Sequence, residues 1–158
     1  MSKAFTKEDD SVEELVLEDL ALPPGVRNYL TPEGAAELGR QLEAVRQALA
    51  VAVVAKKPAL ERRLGSLTRR FETAEVVDPA KQPHGIVRFG ATVVVENSDG
   101  KTRQFRIVGI DEAQPADGRI SWRSPMAKAL LGTRVGDEIT VQTPHGPDAL
   151  SLVAIRYE

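Results

Sequence analysis

The spacing of apolar residues between Thr31 and Ala74 constrains the fold of this chain more than any other feature of its sequence. On each side of Pro58, apolar residues recur at alternating steps of three and four, which is the pattern of a coiled-coil seam. The first run contains Ala35, Leu38, Leu42, Val45, Leu49 and Ala52, and the second contains Leu60, Leu64, Leu67, Phe71 and Ala74. If the chain reverses near Lys57, each position in the second run faces a position in the first, and the numbers of each pair add to 112 or 113. The sequence therefore predicts an antiparallel coiled-coil hairpin of two helices.

The ends of this hairpin carry their own signals. Thr31 is a suitable N-cap, and Pro32 suits the first helical position because its missing N–H needs no partner there. Pro58 disfavours helical geometry at Lys57, so we expect the turn at that point. The first helix then has about 25 residues and the second about 18, which correspond to roughly 37 Å and 27 Å.

Beyond the hairpin, the apolar period changes from the helical one to the alternation typical of strands. The predicted elements are strands over residues 87–95, 105–109, 119–122, 139–143 and 150–157, a turn at 98–100, and a short helix that Ser124 caps, Pro125 begins and Gly132 ends. Leu150, Leu152 and Ala154 share one face of the last strand. The predicted fold class is α+β, with the hairpin followed by an antiparallel sheet domain that has one short helix. We expect an acidic tail or linker over residues 1–28, the hairpin over 29–78 and the sheet domain over 79–158.

Charge is distributed unevenly along the chain. The net charge is −2, but residues 1–24 hold seven acids and two lysines and carry −5, which leaves +3 on the rest. The acidic segment is interpreted either as a solubilising tail or as an arm that contacts a basic partner. The absence of cysteine, of a signal peptide and of any apolar run of membrane-spanning length predicts a cytoplasmic protein without membrane contact. We also expect the chain to be a monomer.

Two parts of the hairpin are candidate contact surfaces. No acidic residue lies between Ala44 and Leu60, and the predicted tip contains Val51, Val53, Val54, Lys56 and Lys57. Exposed valines there indicate either a docking contact or an idle apolar tip. The second helix carries Arg62, Arg63, Arg69 and Arg70, in pairs seven residues apart that share a face. This basic face is either a solvated flank or a contact for RNA or an acidic protein.

The sequence shows no set of residues that would let this chain bind a metal or catalyse a reaction by itself. His84 and His145 have no second histidine or cysteine at metal-ligand spacing. Asp111–Glu112 and Asp137–Glu138 are adjacent acids, which point to opposite faces of a strand and do not form a carboxylate pair. No glycine-rich phosphate loop is present. We therefore predict no metal, no cofactor and no enzymatic activity.

Four stretches of the sequence together resemble the bacterial Gre transcript-cleavage factors, the GreA and GreB family. They are residues 29–34, 87–93, 105–113 and 124–137, and the first ten residues resemble the openings of GreB members. The resemblance implies an FKBP-like C-terminal domain that docks at the outer rim of the RNA polymerase secondary channel. It also implies a coil that points down the channel, where RNA or DNA is contacted only within the transcription complex. In cleavage-active members, an acidic motif at the coil tip holds the second metal ion of the polymerase active site.

The chain departs from the family pattern at the tip. Its hairpin is several turns shorter than in cleavage-active members and resembles the stubby coil of the Gre-like regulator Rnk. Because lysines repel a divalent cation, the tip cannot hold the metal. We therefore expect a regulator that binds the polymerase without stimulating cleavage. The predicted docking residues are Ser121, Trp122, Arg123, Ser124, Pro125 and Met126, and Trp122 is either an interface anchor or core filler. Two alternatives stay open: an active cleavage factor using acids such as Glu43 or Glu61, and a binding module for another partner.

Overall fold

The computed structural model describes residue 22 and residues 24–158 of the chain. The acidic arm predicted for residues 1–24 therefore lies almost wholly outside the described residues. The chain divides into two compact units. We call residues 37–73, with the segment that ends at Asn28, the helical unit, and residues 29–36 with 74–158 the sheet unit. Residues 29–36, which the sequence placed in the hairpin, thus group with the sheet.

Two helices dominate the helical unit. Helix α1 spans Pro32–Val51 and helix α2 spans Lys57–Thr73, with a 3-10 turn at Val54–Lys56 between them. Thr31 caps α1 as predicted, since its Oγ1 accepts a hydrogen bond from the Gly34 N–H at 3.1 Å. The predicted turn position is wrong: α2 already begins at Lys57, and the chain reverses over the preceding five residues. Pro58 is tolerated there because the first turn of a helix has no use for its missing N–H.

Buried apolar residues follow one face of each helix in the helical unit. On α1 they are Leu38, Leu42 and Val45, and on α2 the buried apolar residue is Leu67. Phe71 was assigned to the seam, but it is 50% exposed, whereas Arg70 is only 7% exposed. Positions three and four residues beyond Leu67 both lie near its face, and here the third turns inward. The Arg70 carbonyl accepts a hydrogen bond from Asn28 Nδ2 at 2.9 Å.

Strand β1, Asn28–Leu30, pairs with strand β2, Ala74–Val76, in a two-stranded sheet. The pairing continues through the Val77 N–H, which donates to the Leu30 carbonyl at 2.8 Å. Neither strand was predicted from the sequence, because three residues are too few to show a period.

The larger sheet has five strands in the order β5-β4-β3-β7-β6. Their bounds are Thr92–Asn97 for β3, Thr102–Val108 for β4, Arg119–Ser121 for β5, Glu138–Thr143 for β6 and Gly146–Arg156 for β7, with helix α3 at Pro125–Leu130 between β5 and β6. Most neighbours are antiparallel, as predicted, but β5 runs parallel to β4. The purely antiparallel prediction is thus wrong at this edge, because the connection with its two 3-10 turns lets β5 start in the direction of β4.

The strands of the sheet differ from the predicted ones at two local irregularities. The strand expected from Val87 begins only at Thr92, because Gly90 has a φ of 86° and turns the chain just before it. On β7, the register with β3 shifts between Val94 and Val95, so that Ile155 rather than Ala154 packs on the core after Leu152. The core beneath the sheet contains Val93, Val95, Ile107, Ile120, Ala127, Leu130 and Leu152. None of the helices in the described part of the chain has an apolar stretch of the length that a membrane span requires.

Candidate functional site

Three aromatic side chains meet on the sheet unit. The Tyr29 ring lies 5.7 Å from the Phe89 ring and 5.3 Å from the Trp122 ring, measured between centroids. Tyr29 and Trp122 are nearly perpendicular at 70°, an edge-to-face geometry that aromatic pairs prefer. Tyr29 reaches this cluster from β1, Phe89 from the turn before β3, and Trp122 from the residue after β5.

The aromatic cluster borders a surface pocket of about 510 Å³. Its lining is mostly apolar, with Arg88 as the charged residue. The lining residues are Tyr29, Val77, Gln82, Ile86, Val87, Arg88, Phe89, Trp122, Leu131 and Gly132. A concave apolar surface with few polar groups is typical of a binding site for a ligand or a partner's side chain.

Tyr157 fixes one wall of this pocket. Its hydroxyl donates to the Ile86 carbonyl and accepts from the Arg88 N–H at 3.1 Å. The His84 ring stands 5.6 Å from the Tyr157 ring, again edge to face. Burial raises the pKa of Tyr157 above its usual value, and the hydrogen bond from the Arg88 backbone opposes that rise. Tyr157, directly after β7, thus holds the segment 84–88 in place.

The predicted docking segment Ser121–Met126 lies beside the cluster. The Ser124 hydroxyl accepts from the Ala127 N–H at 3.1 Å, and Pro125 occupies the first turn of α3, as the sequence predicted. Arg123 and Pro125 are exposed, whereas the other four members of the segment are half-buried. Trp122 packs partly on the core and partly on Tyr29, and its Nε1 has no hydrogen-bond partner among the described residues. It therefore packs in part as core filler, and its role as an interface anchor stays a prediction.

The turn between α1 and α2 exposes apolar and basic side chains together. Val51, Val53 and Val54 are 85%, 64% and 81% exposed, and Lys56 and Lys57 are exposed as well. In the basic face of α2, Arg62, Arg63 and Arg69 are exposed but Arg70 is buried. The four arginines thus do not form one exposed surface. Within the described residues, no three histidine, cysteine or acidic side chains are grouped for metal binding.

Sequence reasoning missed the contribution of Tyr29 to the pocket. The residue was assigned to the start of the predicted hairpin over residues 29–78 and not to the sheet domain. No local signal marks this role, because Leu30 and not Tyr29 stands directly before the N-cap Thr31. The partner of such a residue is set by tertiary structure and is not encoded nearby.

Comparisons with known proteins agree on one family. The family model described as transcription elongation factor, GreA/GreB, C-term, matches residues 82–157. GreB of Yersinia pestis is 40% identical over 152 residues, which cover 82% of this chain and 89% of that protein. GreA of Nautilia profundicola is 36% identical over 138 residues, covering 82% and 85%. The match to GreB of Haemophilus influenzae is 46% identical over 99 residues and spans 63% of each chain.

A solved structure is also similar to the chain. The crystal structure of GreA factor homolog 1 from Thermus thermophilus is 28% identical and matches 83% of this chain and 99% of its own, with a TM-score of 0.42.

These relatives correct one prediction. We predicted from the sequence that the chain has no enzymatic activity. This prediction is wrong for the class of protein to which the chain is similar, because its relatives are GreB and GreA factors. Stimulation of transcript cleavage, the role that the resemblance attaches to those factors, assists catalysis.

Proposed function

Because the chain belongs to the GreA/GreB family of transcription elongation factors, we propose that it binds bacterial RNA polymerase at the outer rim of the secondary channel. The docking surface is the segment Ser121–Met126 with the adjoining aromatic pocket. The observation that carries this proposal is that Arg123 and Pro125 stand exposed beside a partly buried Trp122 and the pocket it lines. Aromatic and arginine side chains surrounded by apolar surface are the residues that dominate the affinity of protein interfaces.

Docking is tested with core polymerase and two matched charge reversals. Arg123→Glu changes an exposed residue of the proposed surface, and Lys101→Glu changes an exposed residue at the turn after β3. We expect Arg123→Glu to weaken retention on immobilised polymerase at least tenfold, and Lys101→Glu to bind like the unchanged chain. Failure of the unchanged chain to bind, or equal losses from the two variants, contradicts the proposed surface. If the unchanged chain does not bind and does not compete with a genuine Gre factor, its partner is another protein.

The proposal extends to the finer architecture. The two helices form an antiparallel coiled-coil hairpin, and the sheet unit has the FKBP-like fold. The buried residues Leu38, Leu42, Val45 and Leu67 support the hairpin, because they occupy predicted seam positions. The chain has no cysteine, so engineered pairs can be tested cleanly. Val45→Cys with Leu67→Cys should form a disulfide under mild oxidation, whereas Arg46→Cys with Leu67→Cys should not.

The tip determines what the chain brings to the polymerase. No carboxylate lies between Ala44 and Leu60, and Lys56 and Lys57 are exposed there. A divalent cation needs oxygen ligands, and two ammonium groups repel it. We propose that the tip delivers no metal ion and that binding alone, by occupying the channel entrance, produces the effect on transcription. The exposed Arg62, Arg63 and Arg69 contact RNA or DNA only within that complex.

A backtracked transcription complex separates this proposal from its alternative. We expect the chain to leave the rate of RNA shortening unchanged at saturating concentration while it inhibits the action of an active Gre factor. Metal-dependent RNA shortening by the unchanged chain contradicts the proposal and favours an active cleavage factor. In that case Glu43→Gln and Glu61→Gln identify whether either exposed glutamate supplies the ligand.

A further inference from the structure

The turn between α1 and α2, together with the first part of α2, presents an apolar and strongly basic surface. We call it the tip surface, and it consists of these exposed side chains: Val51, Val53, Val54, Lys56, Lys57, Arg62 and Arg63. Between Ala44 and Phe71 the sequence contains seven basic residues and a single acid, Glu61. Exposed apolar side chains beside charges of one sign are typical of a surface that contacts a partner of the opposite charge.

The cations of the tip surface are not neutralised by neighbouring carboxylates. On α1, by contrast, Arg40 makes an ion pair with Glu37, with Nη2 and Oε2 2.8 Å apart. Across the described part of the chain, the four cations of the tip surface make no such pair. They are therefore available to carboxylates from a segment outside the described residues or from a partner.

One segment of this chain has the complementary composition. Residues 12–20, which we call the acidic segment, read Val-Glu-Glu-Leu-Val-Leu-Glu-Asp-Leu and lie outside the described residues. They combine four carboxylates with five apolar side chains and contain no basic residue. Their carboxylates suit the cations of the tip surface, and their apolar side chains suit its valines.

The attachment of the acidic segment brings it within reach of the tip surface. Asn28 is 2% exposed, and its Nδ2 donates to the Arg70 carbonyl at 2.9 Å, so the chain is fixed beside α2 at this point. From Arg70 back to Lys57, α2 extends about 20 Å. The nine residues from Asp19 to Asn28 can span about 30 Å when extended. The acidic segment is therefore long enough to reach the other end of α2.

The tether also makes weak contacts sufficient. Exposed ion pairs each contribute little to stability. A short flexible tether, however, holds a segment at an effective concentration of about millimolar, so that several weak contacts are enough to keep it bound. Because the contact depends partly on charge, we expect it to weaken as the salt concentration rises.

We infer that the acidic segment docks on the tip surface of its own chain. It thereby covers the valines and cations that the helical unit would otherwise present to a partner. This inference goes beyond the proposed function and does not rest on it, because the contact belongs to the free chain. It is tested without polymerase, so either proposal can fail while the other holds.

The test uses one spin label on the full-length chain and NMR spectroscopy. The chain has no cysteine, so Ser11→Cys provides a single labelling site directly before the acidic segment. We expect the label to at least halve the methyl signals of Val51, Val53 and Val54, compared with the same sample after the label is reduced. In 1 M salt, where the Debye length is about 3 Å, most of this broadening should disappear.

Two matched double variants show whether the broadening depends on the tip surface. Lys56→Glu with Lys57→Glu reverses two of its charges and should restore most of the valine signals. Lys101→Glu with Lys128→Glu reverses two exposed lysines of the sheet unit and should leave the broadening unchanged. Since all four lysines are exposed, we expect both variants to fold.

Three results would overturn the inference. The first is the absence of broadening at the three valines, and the second is an equal loss of broadening in both double variants. The third comes from mixing a spin-labelled chain without isotopes with an isotope-labelled chain without the spin label. Broadening of equal size in that mixture would assign the contact to a second copy of the chain instead of to the same molecule.

Discussion

Substitution of Gly34 by alanine is expected to destabilise the chain, although the same change usually stabilises a helix. Alanine is preferred to glycine in a helix interior by about 1 kcal/mol. At Gly34 the new Cβ would lie 2.1 Å from Cδ and 2.2 Å from Oε1 of Glu112. The Glu112 side chain is flexible and can rotate away, but in doing so it gives up its bonds to Thr31 and Gly109.

The size of the effect follows from those bonds. A hydrogen bond to a charged group contributes about 1.5–3 kcal/mol, and the buried Thr31 N–H would be left without its acceptor. Water can replace part of this loss on the exposed side of Glu112. After subtracting the gain in helix propensity, we expect Gly34→Ala to lower the free energy of unfolding by about 2 kcal/mol.

Two other helical glycines provide matched controls. A Cβ on Gly39 would make an ordinary contact with Phe71 at 3.8 Å, and one on Gly65 would meet nothing within 4 Å. Gly39→Ala and Gly65→Ala should therefore stabilise the chain by about 0.5–1 kcal/mol each. Urea unfolding should be followed both by helical circular dichroism and by fluorescence of Trp122, the only tryptophan, because the two units need not unfold together.

The sign of the change decides the outcome. If Gly34→Ala stabilises the chain as much as Gly39→Ala does, the Glu112 bonds are worth less than the helix propensity and the reasoning is refuted. A double-mutant cycle isolates the cause. In a Glu112→Ala background, Gly34→Ala meets no carboxylate and should become stabilising.

Three further results are expected. Tyr157→Phe should lower the unfolding free energy by about 1 kcal/mol through loss of the bonds to Ile86 and Arg88, measured by urea unfolding. Burial raises the pKa of Tyr157, so folding favours its neutral phenol. The resulting contribution to the free energy of unfolding is complete below the pKa of Tyr157 in the unfolded chain and is lost as the pH rises through its pKa in the folded chain. Titration at 295 nm together with unfolding should show this dependence. Leu42→Ala should cost about 2–5 kcal/mol at the buried seam, seen in the helical signal.

The features predicted correctly from the sequence are those with local signals. The Ser124–Pro125 start of α3 and the turn at 98–100 each depend on a few neighbouring residues, and the structure confirms both. The two helices were predicted from apolar residues spaced alternately three and four positions apart. This pattern extends over several helical turns, so single exceptions do not obscure it. The choice between Arg70 and Phe71 at the end of α2 is different, because a helical period places both near the seam.

Errors arose where partners are distant in the sequence. The parallel pairing of β5 with β4 depends on the path of the connection, and the register shift on β7 depends on its neighbour β3. The contact between Thr31 and Glu112 is a clearer case, because each is an ordinary residue in its own surroundings. The sequence showed Glu112 only as one of two adjacent acids that do not form a carboxylate pair, and only the tertiary structure gives it three hydrogen-bond donors.

The positions of the remaining acids bear on whether the tip could hold a metal in another way. Glu43 lies eight residues before the last residue of α1, and Glu61 lies four residues after the first residue of α2. At the helical rise these positions are about 12 Å and 6 Å back from the ends of their helices. A divalent cation must lie within about 2.6 Å of its oxygen ligands, so an ion bound by either glutamate sits on the flank of the hairpin. Any cleavage activity of this chain must then use a geometry other than the acidic coil tip that the resemblance to cleavage-active Gre factors implies.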